Sequence, residues 1–128
     1  MSVFHEIEQV VPGGRSHAKT IELAAHPDNP RPDLGDLTEM IQSMRSVGVV
    51  QPLVVVTREA HLAAYPDHAS AIGGARYVII AGHRRAAAAA AADVYEVPIE
   101  VRPELSHEGL DLEVMAVENL QRRDLNPI

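Results

Sequence analysis

The segment Tyr77–Ala92 restricts the fold more than any other part of the chain, because it joins a strand pattern to a helix pattern across a glycine. Tyr77-Val78-Ile79-Ile80 combines one aromatic residue with three β-branched aliphatic residues, which favours a buried strand. Gly82 follows, and Arg84–Ala92 is dominated by alanine, the residue with the highest helix propensity. The segment therefore predicts a strand, a glycine turn and a helix in immediate succession.

Similar patterns occur on both sides of this segment. Apolar residues from Leu37 to Val47 recur at steps of three and four, which predicts an amphipathic helix with Asp36 as its N-cap and Gly48 at its end. The other predicted elements are a possible strand start at Ile21-Glu22-Leu23, a strand after Pro52, a strand at Val97–Val101, and a helix at Leu110–Gln121 that closes at Asp124-Leu125-Asn126-Pro127. Strands and helices in this order predict an α/β domain.

Three segments lack a regular pattern. Met1–Thr20 contains Pro12-Gly13-Gly14 and is predicted to be a loose leader. His26–Pro32 has three prolines and is predicted to be a loop. Arg58–Ile72 has mixed polarity and could include one helical turn, so its conformation stays open. With 128 residues in total, the chain suits one domain at 21–128 after the leader.

Composition excludes several classes of function. The chain has no cysteine, which rules out disulfides and thiol chemistry. Its formal charge of −7 would repel a phosphate backbone, so nucleic-acid contact must be local or made elsewhere. The longest apolar run, Ala86–Ala92, is too short to cross a bilayer. We expect a cytoplasmic protein without a membrane partner.

The first candidate site is Ala81-Gly82-His83-Arg84-Arg85. A helix N-terminus presents unpaired N–H groups, Gly82 permits close approach, and two arginines add guanidinium donors, so the segment predicts a phosphate site. Alternatively, Arg84 and Arg85 are solvated residues that only aid solubility. His83 has no second histidine at metal spacing.

The second candidate is Glu118-Asn119-Leu120-Gln121-Arg122. Glu118 and Arg122 lie about one helical turn apart with Asn119 beside them, and oxygen ligands of this kind suit Mg²⁺ and a triphosphate. An ordinary helical ion pair, worth ~0.3–0.5 kcal/mol, is the alternative interpretation.

Two weaker candidates complete the set. The polar side chains of His26–Arg31 could line a base or ribose pocket, although a proline-rich connector explains the same residues. Ser43, near the helix end at Gly48, could equally be a solvent-facing helical residue.

In chain order, these motifs resemble the ParB N-terminal domain of the ParB/sulfiredoxin-like superfamily. The matching motifs are Pro30-Arg31, Gly48-Val49-Val50-Gln51-Pro52-Leu53, Gly82-His83-Arg84-Arg85-Ala86-Ala87-Ala88 and Glu118-Asn119-Leu120-Gln121-Arg122-Arg123-Asp124-Leu125-Asn126-Pro127, of which the last is highly specific. The resemblance covers roughly 21–128 and implies a small mixed sheet flanked by helices. Sulfiredoxin itself needs a cysteine, which this chain lacks.

ParB proteins are CTP-dependent DNA clamps of chromosome and plasmid partition, so the resemblance implies a domain that binds and slowly hydrolyses CTP with Mg²⁺. The implied nucleotide-binding residues are Asn29, Arg31, Ser43, Gly48, Ala81, Gly82, His83, Arg84, Arg85, Asn119 and Arg122, with Glu118 as the catalytic residue and Glu118 and Asn119 as metal ligands. Gly82, Arg84 and Arg85 would hold the phosphates, and Arg122 the triphosphate.

The resemblance also implies partners: a second copy upon nucleotide binding, a ParA-type ATPase, and DNA at the nucleoid. We expect DNA reading to require a C-terminal region that this chain does not contain. The chain has His83 where the family commonly has Glu, Asn29 where it has Gln, and a longer connector at Arg58–Ile72. The alternatives are an ATP-dependent kinase or nuclease-like enzyme of the same fold, or an adaptor that binds no nucleotide.

Overall fold

A computed structural model describes residues 15–29 and 34–125, with side chains up to residue 120. Arg31, the first fourteen residues and the predicted helix end at Asn126-Pro127 lie outside the described residues. Within the described part, no helix combines the length and the apolar character needed to span a membrane.

The centre of the domain is a mixed five-stranded sheet with the order β1-β5-β3-β4-β2. The strands are β1 (Arg15–Lys19), β2 (Leu23–Ala25), β3 (Leu53–Thr57), β4 (Tyr77–Ala81) and β5 (Glu96–Val101). Neighbours β3 and β4 are antiparallel, as are β1 and β5, whereas β2 runs parallel to β4 and β3 parallel to β5. The predicted α/β fold with a small mixed sheet is confirmed.

The described α-helices are α1 (Thr38–Val47), α2 (Arg58–Ala64), α3 (Ala69–Ile72), α4 (His83–Ala91) and α5 (Leu110–Leu125). The Asp36 carboxylate accepts hydrogen bonds from the backbone and hydroxyl of Thr38, which stabilises the start of α1. Gly48, with φ of 78°, ends that helix. Gly48 ends the helix as the sequence predicted, whereas the N-cap is Leu37 rather than Asp36, which lies one residue earlier.

The connector Arg58–Ile72 is mostly helical, which its pattern left open. Thr57 caps α2 by accepting a hydrogen bond from the Ala60 N–H at 3.1 Å. Pro66 cannot donate within a helix, and a 3₁₀ turn at Pro66–His68 separates α2 from α3.

The N-terminal region differs from its prediction. Arg15–Lys19, assigned from sequence to the loose leader, form an edge strand whose residues pair with β5 from Arg15↔Glu100 to Lys19↔Glu96. A 3₁₀ turn occupies Thr20–Glu22, so β2 begins at Leu23 rather than Ile21. Because β1 pairs with β5, about eighty residues later in the chain, the local sequence carries no pattern that predicts this strand.

Apolar side chains pack on both faces of the sheet. Val55 and Ile79 contribute to a cluster with α1 and α4, whereas Val56 and Ile80 contribute to a second cluster with α3 and α5. Successive strand residues point to opposite faces, which explains the division. The sheet therefore fixes α4 on one face and α5 on the other, and both can reach the end of β4.

Candidate functional site

The corner between β4 and α4 requires glycine at residue 82. Gly82 has φ of 102°, a left-handed conformation that L side chains rarely adopt. A Cβ there would lie 2.6 Å from the Leu53 side chain and 2.9 Å from Arg85. Because α4 begins immediately afterwards, its first N–H groups and the positive end of its dipole lie at this corner.

Glu118 of α5 contacts this corner directly. Its Oε2 atom accepts a hydrogen bond from the Gly82 backbone N–H at 2.8 Å. The two motifs, 36 positions apart, therefore meet in the folded chain. A carboxylate that binds a helix N-terminus satisfies an N–H group that an anionic ligand could otherwise engage.

Arg84 is held by the segment before α1. Its Nε donates to the Leu34 carbonyl at 2.8 Å and its Nη2 to the Asp36 carbonyl at 3.0 Å. These bonds fix the guanidinium beside the first turn of α4. The interpretation of Arg84 as a solvated residue without partners does not fit this geometry.

Arg85 is half-buried and keeps an unused donor. Its Nη2 donates to the Pro52 carbonyl at 3.1 Å, while its buried Nε has no hydrogen-bond partner among the described residues. Burial lowers the pKa of Arg85, and the nearby Glu118 carboxylate opposes that shift. An arginine stays protonated under such conditions, so a positive charge lies close to the corner.

His83 is buried and uncharged. Its Nε2 accepts a hydrogen bond from the His26 backbone N–H at 3.2 Å, which places the ring proton on Nδ1. Burial, followed by the proximity of His26, lowers the pKa of His83 to about 4. An exposed histidine has a pKa near 6.5, so the lowered pKa agrees with the packing of His83 inside the site.

A cavity of about 420 Å³ adjoins His83. Its lining is mostly apolar and comes from the proline loop, β2, β4 and α4. Asn29, half-buried in the loop, also lines it. A space of this size falls within the range of small-molecule sites.

A metal ion would find only part of a ligand set at the corner. Glu118 and the half-buried Asn119 are adjacent on α5. No group of three or more histidine, cysteine or acidic residues in the described parts of the chain is arranged to hold a metal. Mg²⁺ would therefore need oxygens from a bound phosphate, which is the usual arrangement for this ion.

A family model of the ParB N-terminal domain matches residues 7–120. This chain belongs to that family. It is 39% identical over 116 residues to the chromosome-partitioning protein ParB of Caulobacter vibrioides strain NA1000 / CB15N, covering 89% of this chain and 34% of that protein. It is 32% identical over 127 residues to the chromosome-partitioning protein Spo0J of Thermus thermophilus, covering 95% of this chain and 41% of that protein. The chain thus spans well under half the length of these relatives.

Two crystal structures of a C-terminally truncated ParB from Caulobacter crescentus resemble this ParB domain. One is complexed with CTP-gamma-S, with a TM-score of 0.67, 33% identity, and coverage of 85% of this chain and 54% of that chain. The other is complexed with the centromeric parS site, with a TM-score of 0.60, 32% identity, and coverage of 85% and 49%.

Three other predicted site residues of this ParB domain are less closely connected to the corner. Ser43 is exposed on α1, and Gly48 ends that helix. No hydrogen bond among the described residues joins either one to Gly82. The backbone of Arg122 belongs to α5, but its side chain is not among the described ones, so its predicted role at the triphosphate stays a prediction.

Sequence reasoning missed a buried polar cluster beside the site of the ParB domain. His26 Nε2 lies 2.7 Å from Asp111 Oδ2, and both side chains are almost completely inaccessible to solvent. His61, Tyr65 and His68 surround His26, with ring centroids 4.9, 5.5 and 6.0 Å from its own. The histidines at positions 26, 61 and 68 were the only sign of this cluster in the sequence, because His26 and its partners are far apart along the chain.

Proposed function

We propose that this domain binds CTP together with Mg²⁺ between the Gly82 corner and the Glu118 face of α5. The observation that carries the proposal is the 2.8 Å hydrogen bond from the Gly82 N–H to Glu118, since it brings an anion-binding corner and a carboxylate to one point. The crystal structure of the Caulobacter crescentus relative with CTP-gamma-S supports the choice of nucleotide.

The phosphates would bind at the first turn of α4. The Gly82 N–H and the guanidinium groups of Arg84 and Arg85 would supply the donors. Glu118 occupies the Gly82 N–H in the structure, so we infer that it gives up this hydrogen bond when a phosphate oxygen binds there. The exchange replaces one anion with another at the positive end of the helix dipole.

Glu118 and Asn119 would then face the metal and the triphosphate. Mg²⁺ supplies charge neutralisation at the phosphate oxygens, which favours their binding beside a carboxylate. A carboxylate at the corner can also orient a water for attack on phosphorus, so we assign Glu118 to slow hydrolysis of CTP. Arg122, one turn further along α5, would add a cationic group.

The base and ribose would occupy the cavity beside His83. Because the His83 Nε2 is already an acceptor for His26, its Nδ1–H is the group available as a donor. Asn29 offers an amide at the loop side of the same cavity. Arg31, in the same proline loop, is proposed to contact the nucleotide as well.

For the cell, we propose a nucleotide switch in chromosome or plasmid segregation. Bound CTP would stabilise a homodimer of these domains as a clamp around DNA at the nucleoid, in the cytoplasm. DNA recognition would require regions outside this chain, in line with the parS complex of the relative and the −7 charge of this chain. A ParA-type ATPase is the proposed motor partner.

Isothermal titration with the Mg²⁺ complexes of CTP, ATP, GTP and UTP tests this proposal. Binding of CTP alone is the expected result. Binding of ATP alone would favour a kinase of the same fold, and binding of none would favour an adaptor. Either of these two results would contradict the proposed function.

A further inference from the structure

The side chain of His26 connects the proline loop to the first turn of α5. Its Nδ1 accepts a hydrogen bond from the Asp28 backbone N–H at 3.0 Å, so the ring proton lies on Nε2. That Nε2–H donates to Asp111 at 2.7 Å. The side-chain exposures of His26 and Asp111 are 0% and 1%, so water cannot compete for this hydrogen bond.

The backbone of His26 connects the same loop to α4. Its N–H donates to the Nε2 of His83 at 3.2 Å, and His83 is the residue that follows Gly82. His26 thus binds α4 through its backbone and α5 through its ring. These are the two helices that carry the phosphate corner and Glu118.

The helical connector keeps this junction dry and in place. His61 and Tyr65 of the connector pack against the His26 ring edge to face, and His68 stacks on Tyr65 at 4.7 Å. The Asp111 carboxylate is buried and its Oδ2 accepts from the His26 Nε2–H, so the loss of that donor would leave a buried charge with one partner fewer.

Resting on the proposed function, we propose that His26 is a positioning residue of the nucleotide site. It fixes the spacing between the first turn of α4 and the first turn of α5. It also keeps α5 attached at Asp111 while Glu118, seven residues further along the helix, releases the Gly82 N–H to a phosphate oxygen. The release of the Glu118 hydrogen bond therefore need not detach the whole of α5.

Two substitutions of His26 separate its two side-chain contacts. The amide nitrogen of glutamine reaches about as far as Nε2 and can still donate to Asp111, whereas asparagine reaches only as far as Nδ1 and keeps the loop contact alone. We expect His26→Asn to speed amide hydrogen exchange at Gly82 and in the first turns of α5 at least tenfold, with sheet amides such as Val56 and Ile80 unchanged. His26→Gln should behave as wild type.

If His26→Asn fails to fold, substitutions of its partner Asp111 test the same contact. Asp111→Asn keeps an oxygen acceptor and should preserve slow exchange, whereas Asp111→Ala removes the acceptor and should reproduce the His26→Asn pattern. Equal acceleration across the sheet, no change at Gly82, or identical behaviour of the glutamine and asparagine variants would overturn the proposal.

A titration with Mg·CTP tests whether the spacing between α4 and α5 affects nucleotide binding. His26→Asn should weaken binding at least tenfold, and His26→Gln should not. Unchanged binding by both variants would overturn the positioning role. A wild-type domain that binds no Mg·CTP would instead contradict the proposed function, while the exchange pattern would still report whether His26 fixes α4 against α5.

Discussion

Arg84 and Arg85 are adjacent in sequence but differ in the donors that they leave available. Arg84 directs Nε and Nη2 to the Leu34 and Asp36 carbonyls, so it mainly fastens the segment before α1 to α4. Arg85 uses Nη2 for Pro52, and within the described part of the chain its buried Nε has no partner. Arg85 is therefore the residue whose loss should affect an anionic ligand most directly.

Arg85→Ala should weaken Mg·CTP binding by at least about tenfold, since hydrogen bonds that involve a charged group contribute ~1.5–3 kcal/mol. Isothermal titration measures the change. Arg76→Ala is the matched control, because the Arg76 side chain is 67% exposed and pairs with Glu22 away from the corner. Equal affinities of both variants and wild type would contradict the assigned role of Arg85.

Glu118→Gln should preserve nucleotide binding and slow its hydrolysis. Glutamine retains an oxygen that can accept the Gly82 N–H but lacks the carboxylate that would orient the attacking water. Phosphate release under saturating Mg·CTP, compared with a binding titration, separates the two effects. A parallel loss of both would contradict the assignment to hydrolysis.

At the scale of elements, the site depends on how closely α4 follows β4. One residue in a left-handed conformation turns the chain from the sheet into the helix, and it brings the Gly82 N–H to α5. The connector shows the opposite situation, because several turns between β3 and β4 place the rings of His61, Tyr65 and His68 around His26. A tight corner thus forms the proposed anion site, and a long connector supports it.

Gly82→Ala should destabilise the domain by about 1–3 kcal/mol, because a left-handed non-glycine residue is strained and the new Cβ would collide with Leu53. Urea denaturation gives the free energy of unfolding. Gly74→Ala is the control, since a Cβ there meets nothing within 4 Å. A similar stability of Gly82→Ala and wild type would show that the corner relaxes freely.

At the scale of the whole molecule, the sheet separates two apolar clusters, and polar groups join the helices across its end. Asp111 illustrates the balance: burial alone would raise the pKa of its carboxyl, but interactions with His26, Tyr65 and the Leu112 backbone together lower it. Conversely, burial and then the interaction with Asp111 raise the pKa of Tyr65 to about 12. These groups keep their charge states near neutral pH.

Acid should destabilise the fold between pH 6.5 and 4. Burial, ahead of the neighbouring histidines, lowers the pKa of His61 to about 4, and His83 shifts to the same value. The unfolded chain binds these protons at a higher pH than the folded chain does. Stability is therefore complete above pH 6.5 and falls as the pH approaches 4, by up to roughly 3 kcal/mol for each imidazole.

Unfolding by urea across this pH range checks the expectation. His83→Gln should reduce the dependence of stability on pH because it removes one of the two titrating groups. His17→Gln should leave it unchanged, since His17 is exposed on β1. A pH-independent free energy of unfolding in the wild type would contradict the buried, uncharged state of His61 and His83.

The sequence by itself determined the elements whose signals are local. Apolar runs marked β3 and β4, the alanines marked α4, and Asp36 and Gly48 located the ends of α1 to within one residue, because propensity and capping act within a few residues. The family motifs also indicated that the Gly82 and Glu118 segments belong to one site. Those signals identified the residues without giving their contacts.

Tertiary structure decided the rest. The pairing of β1 with β5, the Gly82 contact with Glu118 and the His26 contact with Asp111 each join residues at least 36 positions apart. Such contacts depend on which faces of the sheet the helices cover, and that follows from packing rather than from local propensity. For this reason, residue patterns could name the ends of the proposed site, while only the folded chain could set the distance between them.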